Sequence, residues 1–220
     1  PEKCLEIGFD SVVVGEGENS IISILDDLEK GQKPENILKI PQIENIDLVP
    51  FPARDLIPIK DYHFMIDGKN ATTVLTSRGC PYMCAFCSNN VWGKKVRQRS
   101  AENVLKEIKE IKEKYGFERV MFFDDTFTIN KKRVFDICDG LRKLGIKWRC
   151  FIRANTVDYD MLKKMKDSGC VEVGIGIESG SQKILDNIRK GTTVEMNSNV
   201  IKMCKKAGLA AKAFLILGLP

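Results

Sequence analysis

Long hydrophobic runs, a strong charge of one sign and paired metal-binding motifs are all missing from this chain of 220 residues. Its longest apolar stretches, such as Ala213–Leu217, stop well short of the roughly 18 residues that a membrane span requires, and no charged-then-apolar leader opens the sequence. Thirty-five basic residues against thirty acidic leave a net charge of +5, which permits an anionic partner but does not make a dedicated nucleic-acid binder. Cysteine is too sparse for a secreted disulfide scaffold. The thiols are therefore expected to stay reduced, in the cytoplasm, as ligands or small core residues. With 43% hydrophobic and 30% charged residues, the disordered, collagen-like and coiled-coil classes fall away. A globular chain with one sizeable domain and an appendage remains.

What is present is a repeated phrase. From about residue 73 onward an amphipathic helix ends at a glycine (Gly116, Gly145, Gly169, Gly208) and a short apolar strand follows, at 117–123, 146–152, 170–177 and 209–217. Each glycine suits the left-handed position just past a helix. Ser100 is a plausible N-cap before the stripe Ala101, Val104, Leu105, Ile108 and Ile111, which repeats at i, i+3, i+4 spacing. Further helices are predicted over 130–144, 158–168, 181–189 and 195–207. Counting Thr73–Thr76 as the first strand, five βα units predict an α/β fold: a partial parallel (β/α) barrel with its site at the strand C-termini. The chain ends on a strand, which predicts that a sixth unit is missing.

The N-terminal part differs. Ser11–Gly15 and an apolar-striped stretch with Ile21, Ile22, Ile24, Leu25 and Leu28 make one strand and one helix. That is too little for a domain, so residues 1–31 are expected to be the truncated end of a preceding α/β domain. Five of the eight prolines (34, 41, 50, 52, 58) then mark 32–71 as an extended linker, leaving 72–220 for the barrel.

Three of the eight cysteines fall in Cys80-Pro-Tyr-Met-Cys84-Ala-Phe-Cys87, directly after the first predicted strand. Thiolates at C-x3-C-x2-C spacing can converge on one metal centre. Iron–sulfur clusters normally take four cysteines, so three leave a position open, as a catalytic centre does for its substrate. A zinc site completed by His63 or a distant cysteine is the alternative, against which stands the lack of a second ligand pair; three core cysteines are another. Cys4, Cys138, Cys150, Cys170 and Cys204 are expected to be small core residues.

Polar residues recur at the later strand ends. Asp124 and Asp125 close the second strand, either at a site or in the turn that opens the next helix. Arg153 and Asn155 close the third, with Arg153 either clamping a carboxylate or salt-bridging one of the aspartates. Gly174-Ile-Gly-Ile-Glu178-Ser179-Gly180 closes the fourth, and strand glycines suggest close approach of a ligand. Arg78 and the run Lys94–Arg99 either face an anionic substrate or form a solvated loop.

The block from Thr76-Ser-Arg-Gly-Cys80 to Cys87 resembles the signature of the radical S-adenosylmethionine (radical SAM) superfamily, and the resemblance covers roughly 72–220. It implies that Cys80, Cys84 and Cys87 bind a [4Fe-4S] cluster whose fourth iron is chelated by S-adenosylmethionine. An external donor such as flavodoxin or ferredoxin then supplies the electron that releases methionine and a 5′-deoxyadenosyl radical, which takes hydrogen from a substrate. The resemblance also implies that Phe86 lies beside the adenine and that Asp124 or Asp125 meets the ammonium, where Gly-Gly-Glu is the commoner form. Arg153 is implied at the carboxylate, Asn155 at the ribose or sulfonium, and Glu178 with Ser179 at the ribose. Ile216–Pro220 is similar to the opening of the family's adenine-contact motif.

Phe9–Glu18 and Val49–Leu56 are similar to the end of the cobalamin-binding domain and linker of one branch. That likeness implies methyl transfer or C–C bond and ring formation, with cobalamin a further cofactor of a full-length parent. The branch's Asp-x-His-x-x-Gly cobalt motif is absent, and His63 lies outside any such pattern. Two rival readings stand beside this one. A non-catalytic iron–sulfur or zinc module would have a fourth protein ligand, and an RNA-modifying methylthiotransferase-like enzyme would need an appended RNA-binding domain. No residue identifies the substrate.

Overall fold

The computed structural model describes residues 1–88 and 91–220. Helices start where a side chain can take an otherwise unpaired amide. Ser100 accepts from Asn103 N, Asn130 from Arg133 N, Asp158 from Met161 N and Thr193 from Met196 N. These caps open α1 (Ala101–Tyr115), α2 (Lys131–Leu144), α3 (Tyr159–Asp167) and, after the short α4 (Gln182–Asn187), α5 (Val194–Ala207). Gly116, Gly145 and Gly208 end three of them in left-handed conformation, as the sequence predicts.

Between the helices run β1 (Thr72–Val74), β2 (Arg119–Phe122), β3 (Lys147–Ile152), β4 (Cys170–Glu178) and β5 (Ala210–Leu215). They form one sheet in sequential order, every neighbouring pair parallel, with β1 and β5 at its edges. Sequential parallel order sends each connection over the same side and gathers the strand C-termini along one edge. The expected α/β fold with its five units is present.

The helical stripes and the sheet share one core. Val104, Ile108 and Ile111 of α1, Val134 and Leu141 of α2, and Met161 and Met165 of α3 pack with Val120, Trp148, Val173 and Ile175 of the strands. Trp148 is fully buried, edge-on to Phe122 at 5.4 Å, and donates its indole N–H to Ser168 O. Cys138, Cys150, Cys170 and Cys204 are buried, as expected; Cys4 is only half-buried, in a short helix that buries nothing.

The first strand stops earlier than predicted, at Val74. Thr76 and Ser77 turn aside to bond Asp124, and Ser77–Arg78 then pairs antiparallel with Arg97–Gln98. Arg78, Arg97 and Arg99 are consequently neither a substrate face nor part of a solvated loop, whereas Lys94 and Lys95 are exposed, as the solvated-loop reading expects. Arg97 is buried, 2.5 Å from Glu16, and Arg78 reaches both Glu16, at 3.4 Å, and Glu18. Arg99 pairs with the buried Glu107 at 2.5 Å.

The stretch 32–71 is less extended than its prolines suggest. Ile37–Leu38 pairs in parallel with Val12–Val13, three 3-10 turns follow, and Arg54 is buried against Glu107 at 2.5 Å. The helix Glu18–Glu29 leaves Ile21, Ile22, Leu25 and Leu28 exposed.

Glu16 is the hinge of this attachment, accepting from Ile43 N at 2.9 Å as well as pairing with the two arginines. Burial raises its pKa, but the Arg97 guanidinium 2.5 Å away and the Ile43 amide outweigh that and hold it below the ordinary 4.5. A depressed carboxylate contributes stability that is fully present above pH 4.5 and is lost as pH falls through the folded-state value. Glu16→Ala, which leaves the buried Arg97 without its carboxylate and Arg78 with Glu18 alone, is expected to cost about 3–5 kcal/mol in urea unfolding at pH 7. The gap between variant and wild type should narrow on acidification below the carboxylate range.

Candidate functional site

The cysteine loop leaves the sheet beyond β1 and is held on both sides. Gly79 (φ +89°) lets the chain turn into Cys80, and a side chain there would run into the Lys95 carbonyl. Cys80 N bonds Gly93 O at 3.2 Å, and Ala85 N bonds Ile188 O beyond α4 at 2.8 Å. The loop thus bridges to the far end of the fourth unit. Cys80, Cys84, Phe86 and Cys87 line a cavity of about 370 Å³ whose other walls come from the ends of β2, β3, β4 and β5. Burial, and then the neighbouring Cys80, Cys84 and Asp125, push the Cys87 thiol up, the electrostatic sign that the three sulfurs and a carboxylate gather in one place.

The two aspartates separate in role. Asp124 is fully buried and takes hydrogen bonds from Thr76 N (2.6 Å), Thr76 Oγ1 (2.5 Å) and Ser77 N (2.9 Å). It is committed to the root of the cysteine loop and is absent from the cavity wall. Asp125 is exposed and lines the cavity, its carboxyl raised by desolvation.

Arg153 also lines the cavity and is buried. It makes no salt bridge to either aspartate. Its Nε donates to Asn155 Oδ1 at 2.9 Å, its Nη1 approaches Cys84 Sγ at 3.4 Å, and its guanidinium lies 3.8 Å from the Tyr82 ring centroid. Asn155 is exposed and also reaches Gly191 O.

At the end of β4, Glu178 takes a left-handed conformation (φ 62°) and pairs with Lys190 Nζ at 2.7 Å, both side chains buried. Non-glycine residues hold such a backbone only when the surroundings over-determine it. The strand glycines make room for protein groups. A Cβ on Gly174 would sit 2.7 Å from the Phe151 ring and 2.8 Å from that of Phe214, and one on Gly176 would sit 2.8 Å from Lys190 Nζ. Ser179 is half-buried, caps Ser181 N at 3.1 Å and is not on the cavity wall. Phe86 is on the wall, with Lys190 Nζ 5.9 Å from its ring.

Lys190 is the functional candidate that sequence reasoning missed. Its one signal was position: in Arg189-Lys190-Gly191, just beyond a helix, it reads as helix-end charge.

Among the described residues no three His, Cys, Asp or Glu side chains close on a single ion, and His63 is exposed and outside the cavity wall. Three thiolates on one cavity wall suit a cluster, in which each binds its own iron.

Comparison with known proteins agrees with this geometry. The family model described as the radical SAM superfamily matches residues 74–220. An uncharacterized methyltransferase of Pyrococcus horikoshii is 39% identical, across 96% of this chain and 50% of its own length. The bacteriochlorophyllide d C-8(2)-methyltransferase of Chlorobaculum tepidum is 32% identical, across 91% and 47% respectively. The solved structure of the cobalamin-dependent S-adenosylmethionine radical enzyme OxsB, with aqua-cobalamin and S-adenosylmethionine bound, superposes with a TM-score of 0.80 at 26% identity, covering 92% of this chain and 32% of that one. The chain thus spans half or less of the length of these relatives. No helix among the described residues is long and apolar enough to cross a membrane. Three cysteines of the C-x3-C-x2-C loop facing one cavity at the C-terminal edge of a sequential parallel sheet, and a family model matched from the first strand of that sheet onward, place this chain in the radical SAM superfamily.

Proposed function

We propose that this chain is the S-adenosylmethionine-cleaving barrel of a cytoplasmic, cobalamin-associated radical SAM enzyme that performs methyl transfer or ring formation. The observation that carries this reading is the convergence of Cys80, Cys84, Cys87, Asp125 and Glu178 on one cavity. In the proposal the three thiolates hold a [4Fe-4S] cluster with one iron left open. The bound cluster and S-adenosylmethionine, given one electron by a flavodoxin- or ferredoxin-type donor, supply a 5′-deoxyadenosyl radical for hydrogen abstraction.

The chain's own residues bind, orient and keep the site dry. Asp125, rather than the committed Asp124, receives the ammonium by a charge-assisted hydrogen bond. Phe86 offers its face to the adenine. Glu178, oriented by Lys190, faces the ribose hydroxyls, while Asn155 holds Arg153 and Ser179 caps Ser181 N, neither of them on the cavity wall. Phe151, Ile152 and Phe214 present apolar surface to the reacting region, which limits water there.

Residues 1–31 are proposed as the end of a cobalamin-binding-like domain, 32–71 as the connection and 72–220 as the barrel. The uncovered apolar face of the Glu18–Glu29 helix and a likeness to OxsB over 92% of the chain support that division. Relatives named as methyltransferases make methyl transfer the first reaction to assay. The test is anaerobic incubation of the iron- and sulfide-loaded chain with S-adenosylmethionine and dithionite. The proposal expects 5′-deoxyadenosine and methionine in equal amounts. A loaded cluster that binds S-adenosylmethionine and leaves it intact would speak for an electron-transfer module instead.

A further inference from the structure

Arg153 is 6% exposed at the end of β3, and the ion pairs of the described residues do not include it. A guanidinium stays protonated when buried, so its charge must be met by something other than a carboxylate. Its three contacts are Asn155 Oδ1 on Nε, the Tyr82 ring against its flat face and Cys84 Sγ 3.4 Å from Nη1. Asn155 and Tyr82 fix the plane and the tilt of the fork, and the direction left to Nη1 is the sulfur. Tyr82 belongs to the cysteine loop itself, between Cys80 and Cys84. The arginine therefore grips the loop twice, once by its face and once by its edge.

Hydrogen bonds and positive charge at a cluster-bearing sulfur favour the state that carries the extra electron. We infer that Arg153 is a positioning residue whose guanidinium, bonded to the Cys84 sulfur and stacked on Tyr82, raises the reduction potential of the cluster toward the reach of a one-electron donor of the flavodoxin or ferredoxin class. This rests on the reading of Cys84 as a cluster ligand, and it gives Arg153 a task separate from clamping the ligand carboxylate.

The experiment is a potentiometric EPR titration of the anaerobically loaded wild type, Arg153→Gln, Arg153→Lys and Tyr82→Leu, without S-adenosylmethionine. At a fixed potential the ratio of reduced to oxidised cluster in Arg153→Gln should fall at least tenfold, a lowering of 59 mV for a one-electron couple. Arg153→Lys keeps the charge without the fork and should fall between that variant and wild type. Tyr82→Leu should shift the same way by less. These last two carry the comparison if Arg153→Gln takes up too little iron. Loaded variants whose potentials match wild type overturn the inference, and do so equally if their affinity for S-adenosylmethionine drops, since Arg153 would then be a ligand clamp alone. A wild type that takes up no iron and sulfide overturns the cluster reading itself.

Discussion

Cys84→Ala is expected to reduce the iron and sulfide bound after anaerobic reconstitution to background, and to do so without unfolding the chain. Cys84 sits on a loop outside the hydrophobic core, so its loss removes a ligand and little packing. Cys80→Ala and Cys87→Ala should behave alike, because two thiolates leave two irons of a cluster unheld. The buried cysteines give the contrasting result. Burial pushes the Cys138 thiol up to about 12 and that of Cys204 to about 11. Groups that stay protonated at neutral pH are poor ligands. Replacing either by alanine should leave iron content unchanged and cost modest stability. Iron analysis beside a circular-dichroism melt separates the two patterns. Equal iron loss from Cys138→Ala and Cys84→Ala would contradict the assignment of the loop.

The second large effect is expected at Lys190. Lys190→Met leaves the Glu178 carboxylate buried, without its partner and in a left-handed backbone conformation. Removing one member of a buried pair costs about 3–5 kcal/mol, which a urea titration at pH 7 should resolve as a lower midpoint at unchanged slope. Replacing both partners by apolar residues, in Lys190→Met/Glu178→Leu, should recover much of the loss, because the unpaired charge is then gone. Neither variant should support S-adenosylmethionine binding at wild-type affinity, since the single variant loses the orientation of Glu178 on the cavity wall and the double variant loses its carboxylate. A double variant as unstable as the single one would mean that the pair is incidental to the strained turn.

These two experiments touch the parts of the molecule that were most and least legible in its sequence. The repeated helix–glycine–strand phrase shows in the periodicity because each unit buries one helical stripe against one apolar strand, and Val104, Ile108 and Ile111 do so. The cysteine loop was equally plain, since its spacing is local. What could not be read depends on pairings between distant segments. Glu107 falls on the apolar stripe of α1, three residues after Val104, yet nothing in the sequence names Arg54 and Arg99 as its partners. The 94–99 run looks like a charged surface loop until Glu16 buries Arg97. Asp124 and Asp125 are adjacent and chemically identical, and only the path of the chain beyond β2 sends one to the loop root and the other to the cavity. The glycines of β4 were legible as a demand for space, and both line the cavity, but that Phe151, Phe214 and Lys190 also crowd them was not.

The central claim is an iron left open for S-adenosylmethionine, and it is tested most directly by EPR of the reduced, reconstituted chain before and after that molecule is added. The account predicts a [4Fe-4S] signal whose g-values shift on addition and which is absent in Cys84→Ala. A cluster signal indifferent to S-adenosylmethionine, or one mole of zinc bound with no cluster at all, would contradict it.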